Sequence, residues 1–259
     1  VMIPSYFIAH GAPSLVLDKV DYTDFLKSYF ASSHPKPKAI VLFSAHWENR
    51  TQTISAVPGT YPTIYDFGGF QDELYQMKYP AKGDRSLSEE IGRLFKEHGV
   101  ESAVDLERGL DHGAWAILKL MYPDADIPVI ALSVNRYLTN EQQYRIGAAL
   151  AELREKDILV IGSGGTVHNL RRVNWRAEEA EAWAETFDGW LEEKLLAWDT
   201  QALFEYREVA PHAVEAVPTN EHFIPLFLAM GAGERNRQAK LLHRSYQYGT
   251  LSLSCWQFN

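Results

Sequence analysis

Five of the nine histidines in this chain stand where a side chain can be put to chemical use: His10, His46, His112, His168 and His222. His46 ends the apolar run AIVLFSAHW, Ala39 to Trp47; His10 ends the apolar segment Met2 to Ala9; His168 follows DILVIG through the turn SGGTV. Three times, then, an apolar strand runs into a turn that delivers an imidazole. His112 lies in the glycine-flanked turn GLDHG, with Asp111 beside it as a helix cap, and His222 follows Glu221 at the start of Pro218 to Gly231. A lone histidine beyond a strand is most often a core residue bonded to a backbone carbonyl. Recurrence argues against that reading, because parallel strands bring their carboxyl ends to one crevice. Imidazole suits zinc and divalent iron, and its pKa near neutrality lets a spare ring move a proton. The chemistry read from these residues is a His-rich metal centre with at least one imidazole left for proton transfer. His34, His98, His212 and His243 lack that context and read as surface or locally bonded residues.

The elements that must hold these histidines follow from periodicity. Runs at Met2 to Ala9, Ala39 to Trp47, Pro128 to Val134 and Asp157 to Gly162 are apolar without alternation, as in strands covered on both faces. Helical spacing marks Tyr22 to Phe30, Ser86 to His98 with a Ser86/Glu89 capping box, Ala114 to Met121, and Thr139 to Lys156. Trp183, Phe187, Trp190, Leu191 and Leu195 share one face of a long helix whose other face carries Glu178, Glu179, Glu181, Glu185, Glu192 and Glu193. Thr219 or Asn220 can cap a helix after His222, and Leu251, Leu253 and Cys255 alternate as in a strand. Alternation of strand and helix predicts an α/β fold, one domain over residues 1–259, with a mainly parallel central sheet flanked by helices and the active site at the strands' carboxyl ends. Between Glu48 and Gly83 periodicity fades while aromatic residues accumulate, which reads as a pocket wall or lid.

Composition narrows the partners. The chain has 259 residues, 46% hydrophobic and 23% charged, as in ordinary globular proteins. A net charge of -9 disfavours nucleic acid, and the absence of an 18-residue apolar run disfavours a membrane span. The start VMIPSYFIAHG lacks the basic region of a signal peptide, so a cytoplasmic location is expected. The single cysteine, Cys255, leaves His and carboxylate as the available metal ligands. Gly164 and Gly165 fit neither common phosphate-loop spacing.

Six segments taken together carry a resemblance: FIAHGAPSL, PKAIVLFSAHWE, YPTIYDFGGF, GLDHGAWAILKLMYP, VIGSGGTVHNL and PTNEHFIPLFLAMGA. The chain resembles the class III extradiol ring-cleavage dioxygenases of the LigB-like superfamily, in the branch similar to 4,5-DOPA dioxygenase. That resemblance implies metal ligands at His10, His46 and His222, with Glu221 competing for the third position. It implies an acid/base at His168, which in some members also stands near the metal, and a second active-site histidine at His112. Tyr65, Phe67 and Ser44 fall on the substrate side. The implied cofactor is Fe(II) for catalysis, with Zn(II) in some isolated members. The implied partners are a small aromatic diol and O2, and the implied product is a muconic semialdehyde that takes both oxygen atoms. Val217 and Pro218 stand where the family carries a His-Pro pair. A zinc hydrolase using the same histidines, or a non-catalytic metal or aromatic-ligand binding protein, remains as an alternative on the residues alone, and no oligomeric state is implied.

Overall fold

The computed structural model describes residues 2–259. Among them, one sheet is built from β1 Ser5–Ala9, β2 Ala39–Glu48, β3 Gln52–Ser55, β4 Ser102–Asp105, β5 Val129–Val134, β6 Ile158–Gly164, β7 Ala239–Gln247 and β8 Leu251–Phe258. Its order is β4-β3-β5-β2-β6-β1-β8-β7. The four central strands, β5, β2, β6 and β1, are mutually parallel. Antiparallel pairings join β8 to β1, β7 to β8 and β3 to β5, while β4 is parallel to β3. This is the expected α/β architecture with a mainly parallel sheet.

Along β2, Ile40 and Leu42 enter one apolar cluster while Ala39, Val41 and Phe43 enter the other. A strand buried on both faces has no polar side to alternate with, which is why the run looked uniformly apolar. Helices α1 Asp21–Ser33 and α3 His112–Met121 cover the first face; α2 Arg85–Glu97 and α4 Asn140–Ala148 cover the second. The chain continues through α5 Ala182–Leu196 and three short turns, α6 Thr200–Phe204, α7 Tyr206–Val209 and α8 Ala213–Ala216, to α9 Ile224–Ala232. The last helix lies directly on β6. A Cβ on Gly162 would stand 2.1 Å from the Pro225 carbonyl oxygen, and one on Gly164 would stand 2.1 Å from that of His222. The glycines at the end of β6 thus permit backbone contact with the segment carrying His222.

Several local expectations change. The helix expected over Thr139 to Lys156 is broken after Ala148 and tightens into a 3-10 turn at Ala151–Lys156. There the buried Arg154 guanidinium donates to the carbonyls of Ile3 and Ala232, which fixes the turn against two other segments. Asp84, not Ser86, caps α2, accepting from the Leu87 amide. Glu178, Glu179 and Glu181 precede α5, the last at its cap position, and so are not on its outer face. Asp111 sits at the cap of α3 without capping it: its carboxylate accepts from Ser44 and Arg108 instead. Strands β3, β4 and β7 were not anticipated. Among the described residues no helix is long and apolar enough to cross a membrane.

Candidate metal centre

The register of the central strands sets the floor of the site. Ser163 on β6 lies beside Ile8 on β1 and Ser44 on β2, so β1 and β6 end level with one another while β2 runs on to Glu48. His10 follows β1, His46 is near the end of β2, and His222 precedes α9 across the Gly164 contact. The Gly165 amide donates to the His222 carbonyl at 2.8 Å, tying that residue to the turn after β6. The Nε2 atoms of His10 and His46 stand 3.1 Å apart, and those of His46 and His222 3.3 Å apart.

Two of the rings are held from behind through Nδ1, and the third, His46, faces a carboxylate there. Ser163 Oγ donates to the Gly113 carbonyl, which leaves the hydroxyl to accept from His10 Nδ1 at 2.9 Å. His222 Nδ1 lies 3.4 Å from Glu221 Oε1, and His46 Nδ1 lies 3.6 Å from Asp66 Oδ2. With the protons on Nδ1, three Nε2 lone pairs converge with no hydrogen between them. Acceptors facing acceptors at such separations are reconciled by a cation. Two imidazole nitrogens bound at about 2.0–2.1 Å to one zinc-sized ion stand roughly 3 Å apart, so this donor set fits a metal. Among the described residues, His10, His46 and His222 form one group whose ligand atoms all lie within 4.8 Å, and His46, Asp66 and His112 form another.

Electrostatics keep the rings neutral. Burial, reinforced by His46, His222 and His112, holds the His10 pKa well below 6.5. Burial followed by His112 and His222 lowers His46 to about 3; burial followed by His168 lowers His222 to about 4. Burial works against the Glu221 carboxylate, yet hydrogen bonds from His222, its own backbone and Thr219 outweigh it and hold the group at about 2. Neutral rings backed by a hydroxyl at His10 and by carboxylates at His46 and His222 are in the state in which imidazole binds metal.

The other predicted residues sort by position. His168 lies flat against His222, ring centroids 3.6 Å apart at 8°, and stands outside the group of three converging nitrogens. Its pKa is lowered to about 4 by burial and then by His46. His112 begins α3 with its ring 4.1 Å from that of His46 and its Nδ1 2.9 Å from Asp66 Oδ2. Glu221 sits behind His222, so His222, not Glu221, presents an atom to the cluster. A cavity of about 540 Å³ opens over the histidines, and Phe67 lines it. Tyr65 and Ser44 do not line it. The Tyr65 hydroxyl is turned away to the Met77 carbonyl, and Ser44 lies beneath His46, where its hydroxyl accepts from the His46 amide and donates to Asp111.

Asp66 is the residue that pattern reading missed. Its Oδ1 accepts from the His112 amide at 2.9 Å while Oδ2 faces both His112 and His46. Burial raises its pKa, but the interactions with His112 and then His46 outweigh that and leave it lowered. Its only signal was a carboxylate inside the aromatic, glycine-rich segment YDFGGF.

A mainly parallel α/β sheet that brings His10 and His46 from its strand ends to His222 from the segment before α9 defines a histidine-centred metal site. Residues 8–258 match the family described as the catalytic LigB subunit of aromatic ring-opening dioxygenase, and the chain belongs to that family. It is 40% identical to the 4,5-DOPA dioxygenase extradiol of Beta vulgaris, over 98% of this chain and 96% of the relative. Identity to the protein of that name from Escherichia coli (strain K12) is 34%, over 97% and 93%. The crystal structure of an uncharacterized protein from Escherichia coli K12 superposes with a TM-score of 0.84 at 30% identity, covering 99% of this chain and 100% of that one. The protein is therefore an enzyme of the extradiol dioxygenase type, and its histidine cluster agrees with a metal cofactor.

Proposed function

We propose that the protein is a metal-dependent extradiol dioxygenase that opens the ring of a catechol-type aromatic and incorporates both atoms of O2, giving a muconic semialdehyde. In this reading residues 1–259 act as one catalytic domain. The observation that carries it is the convergence of the Nε2 atoms of His10, His46 and His222, with Ser163 and Glu221 behind the first and last and Asp66 facing the Nδ1 of His46. His10, His46 and His222 would hold Fe(II). When bound, that ion supplies Lewis acidity and a template on which diol and dioxygen meet.

The chain's own residues do the rest. His168 is neutral at pH 7 and borders the cavity, so its free nitrogen accepts the proton that a catechol hydroxyl loses on binding. His112, steadied by Asp66 at Nδ1, offers its other nitrogen to charge developing on the reacting oxygens. Phe67, meeting His112 edge-on at 5.6 Å between centroids, walls the aromatic ring and excludes water. The names of the relatives support a DOPA-like catechol as the starting point for a substrate search.

The test is anaerobic loading with Fe(II), metal analysis, then exposure to air with a panel of catechols. A yellow product with oxygen consumed in equal amount is the expected result. Colourless mixtures across the panel, with one iron per chain verified, would overturn the dioxygenase reading, and ester or amide hydrolysis by the zinc-loaded protein would point to a hydrolase.

A further inference from the structure

The cavity over the histidines has an outer wall that the ring chemistry does not use. Leu170, Val173, Trp175 and Tyr248 line it, supplied by the segment after His168 and by the turn between β7 and β8. Leu170 and Trp175 are 68% and 62% exposed, and the Trp175 ring stands 4.6 Å from that of Tyr248. Large apolar side chains held in water at the mouth of a cavity mark a surface that a ligand covers. At about 540 Å³ the cavity falls in the range of roughly 300–1,000 Å³ that encloses ligands well beyond a single ring.

Charge at this cavity has one sign. Among the described residues no lysine or arginine lines it, whereas Glu48, Asp66 and Glu221 do. The guanidiniums on neighbouring segments are already paired: Arg136 with the lining residue Glu48 at 3.3 Å, Arg172 with Glu215 at 2.8 Å. An anionic tail would enter without a counter-charge and meet carboxylates; an apolar tail would bury the exposed rim.

Resting on the dioxygenase reading, we propose that the preferred ligand is a catechol with an apolar, aryl-bearing substituent and no carboxylate, its distal group seated on Trp175 and Tyr248. The substituent at ring position 4 lies against the rim while the vicinal oxygens face the histidines.

The experiment compares 4-benzylcatechol, catechol and 3,4-dihydroxyphenylacetate on the iron-loaded enzyme, by kcat/KM, and on the zinc-loaded protein, by calorimetric Kd. At least about tenfold preference for 4-benzylcatechol over each of the others is expected in both measurements. Trp175→Ala should shrink the ratio of 4-benzylcatechol to catechol to near unity, and Leu170→Lys should shift preference towards the carboxylated compound. Equal or better use of 3,4-dihydroxyphenylacetate, or a ratio untouched by Trp175→Ala, would overturn the ligand assignment while leaving ring cleavage standing. Failure of the iron enzyme to cleave any catechol, with the order of affinities kept in the zinc form, would instead overturn the reaction and retain the ligand class.

Discussion

The floor and the rim of the cavity are built by opposite means. On the floor, His10, His46 and His222 sit at or beside strand ends of the sheet, and each Nδ1 faces a polar group behind it. At the rim, Leu170 and Trp175 are large apolar groups in open water on a connecting segment. Rigid strand ends supply positions, which a metal demands to within a fraction of an ångström. Connecting segments supply surface, which can vary between relatives without disturbing the centre. On the proposed function, chemistry falls to the floor and choice of ligand to the rim.

The largest expected effect lies on the floor. His46→Ala removes the nitrogen shared by both close Nε2 pairs, so bound iron, measured by elemental analysis after dialysis, should fall to background and ring cleavage with it. Retained stoichiometric iron would break the assignment. His168→Gln should keep the iron and lower kcat by about 10²–10⁴, the usual scale for a lost acid/base group. Unchanged turnover would remove His168 from that role. Asp66→Asn weakens the hold on His46 and His112 together; metal affinity should drop by about 10–100-fold, measured by competition with a chelating dye.

Acid provides a further separation of floor from rim. His168 and His222 titrate at about 4 in the metal-free fold against about 6.5 in the unfolded chain. Between those values the unfolded state binds more protons, so the stability these neutral rings permit is intact above pH 6.5 and is lost as pH falls towards 4. Denaturant midpoints of the metal-free protein should decline across that window and stay flat from pH 7 to 8. Trp175→Ala should preserve this profile and shift stability by no more than about 0.5 kcal/mol, as for surface substitutions generally. A large loss of stability would mean that the rim is structural.

Legibility in the sequence followed the same division. Strands β1, β2, β5 and β6 could be read because burial on both faces removes polar residues from the run, and four of the five histidines stood where such runs or a glycine turn ended. Strands β3 and β4 are four residues each near one edge of the sheet, too short for a pattern. β7 is half-buried at every residue but the exposed Lys240, so its alternation is blurred. Asp66 escaped because a carboxylate gains its meaning only when the fold brings His46 and His112 to it. Tyr65 and Phe67 differ by two positions in one aromatic segment, and only the path of that segment decides that Phe67 meets the cavity.

The contact between β6 and the segment leading into α9 has a consequence for how this centre can evolve. Gly162 and Gly164 put bare backbone against the carbonyls of Pro225 and His222, so no side chain acts as a spacer between sheet and helix. The third nitrogen is therefore gauged from the sheet by the thickness of the polypeptide itself. A methyl group at either glycine would jack the helix outward and open the triangle of nitrogens. Retuning the preference for one ion over another is thus left to exchange of the ligands and of the groups behind them, because the frame offers no dial to turn.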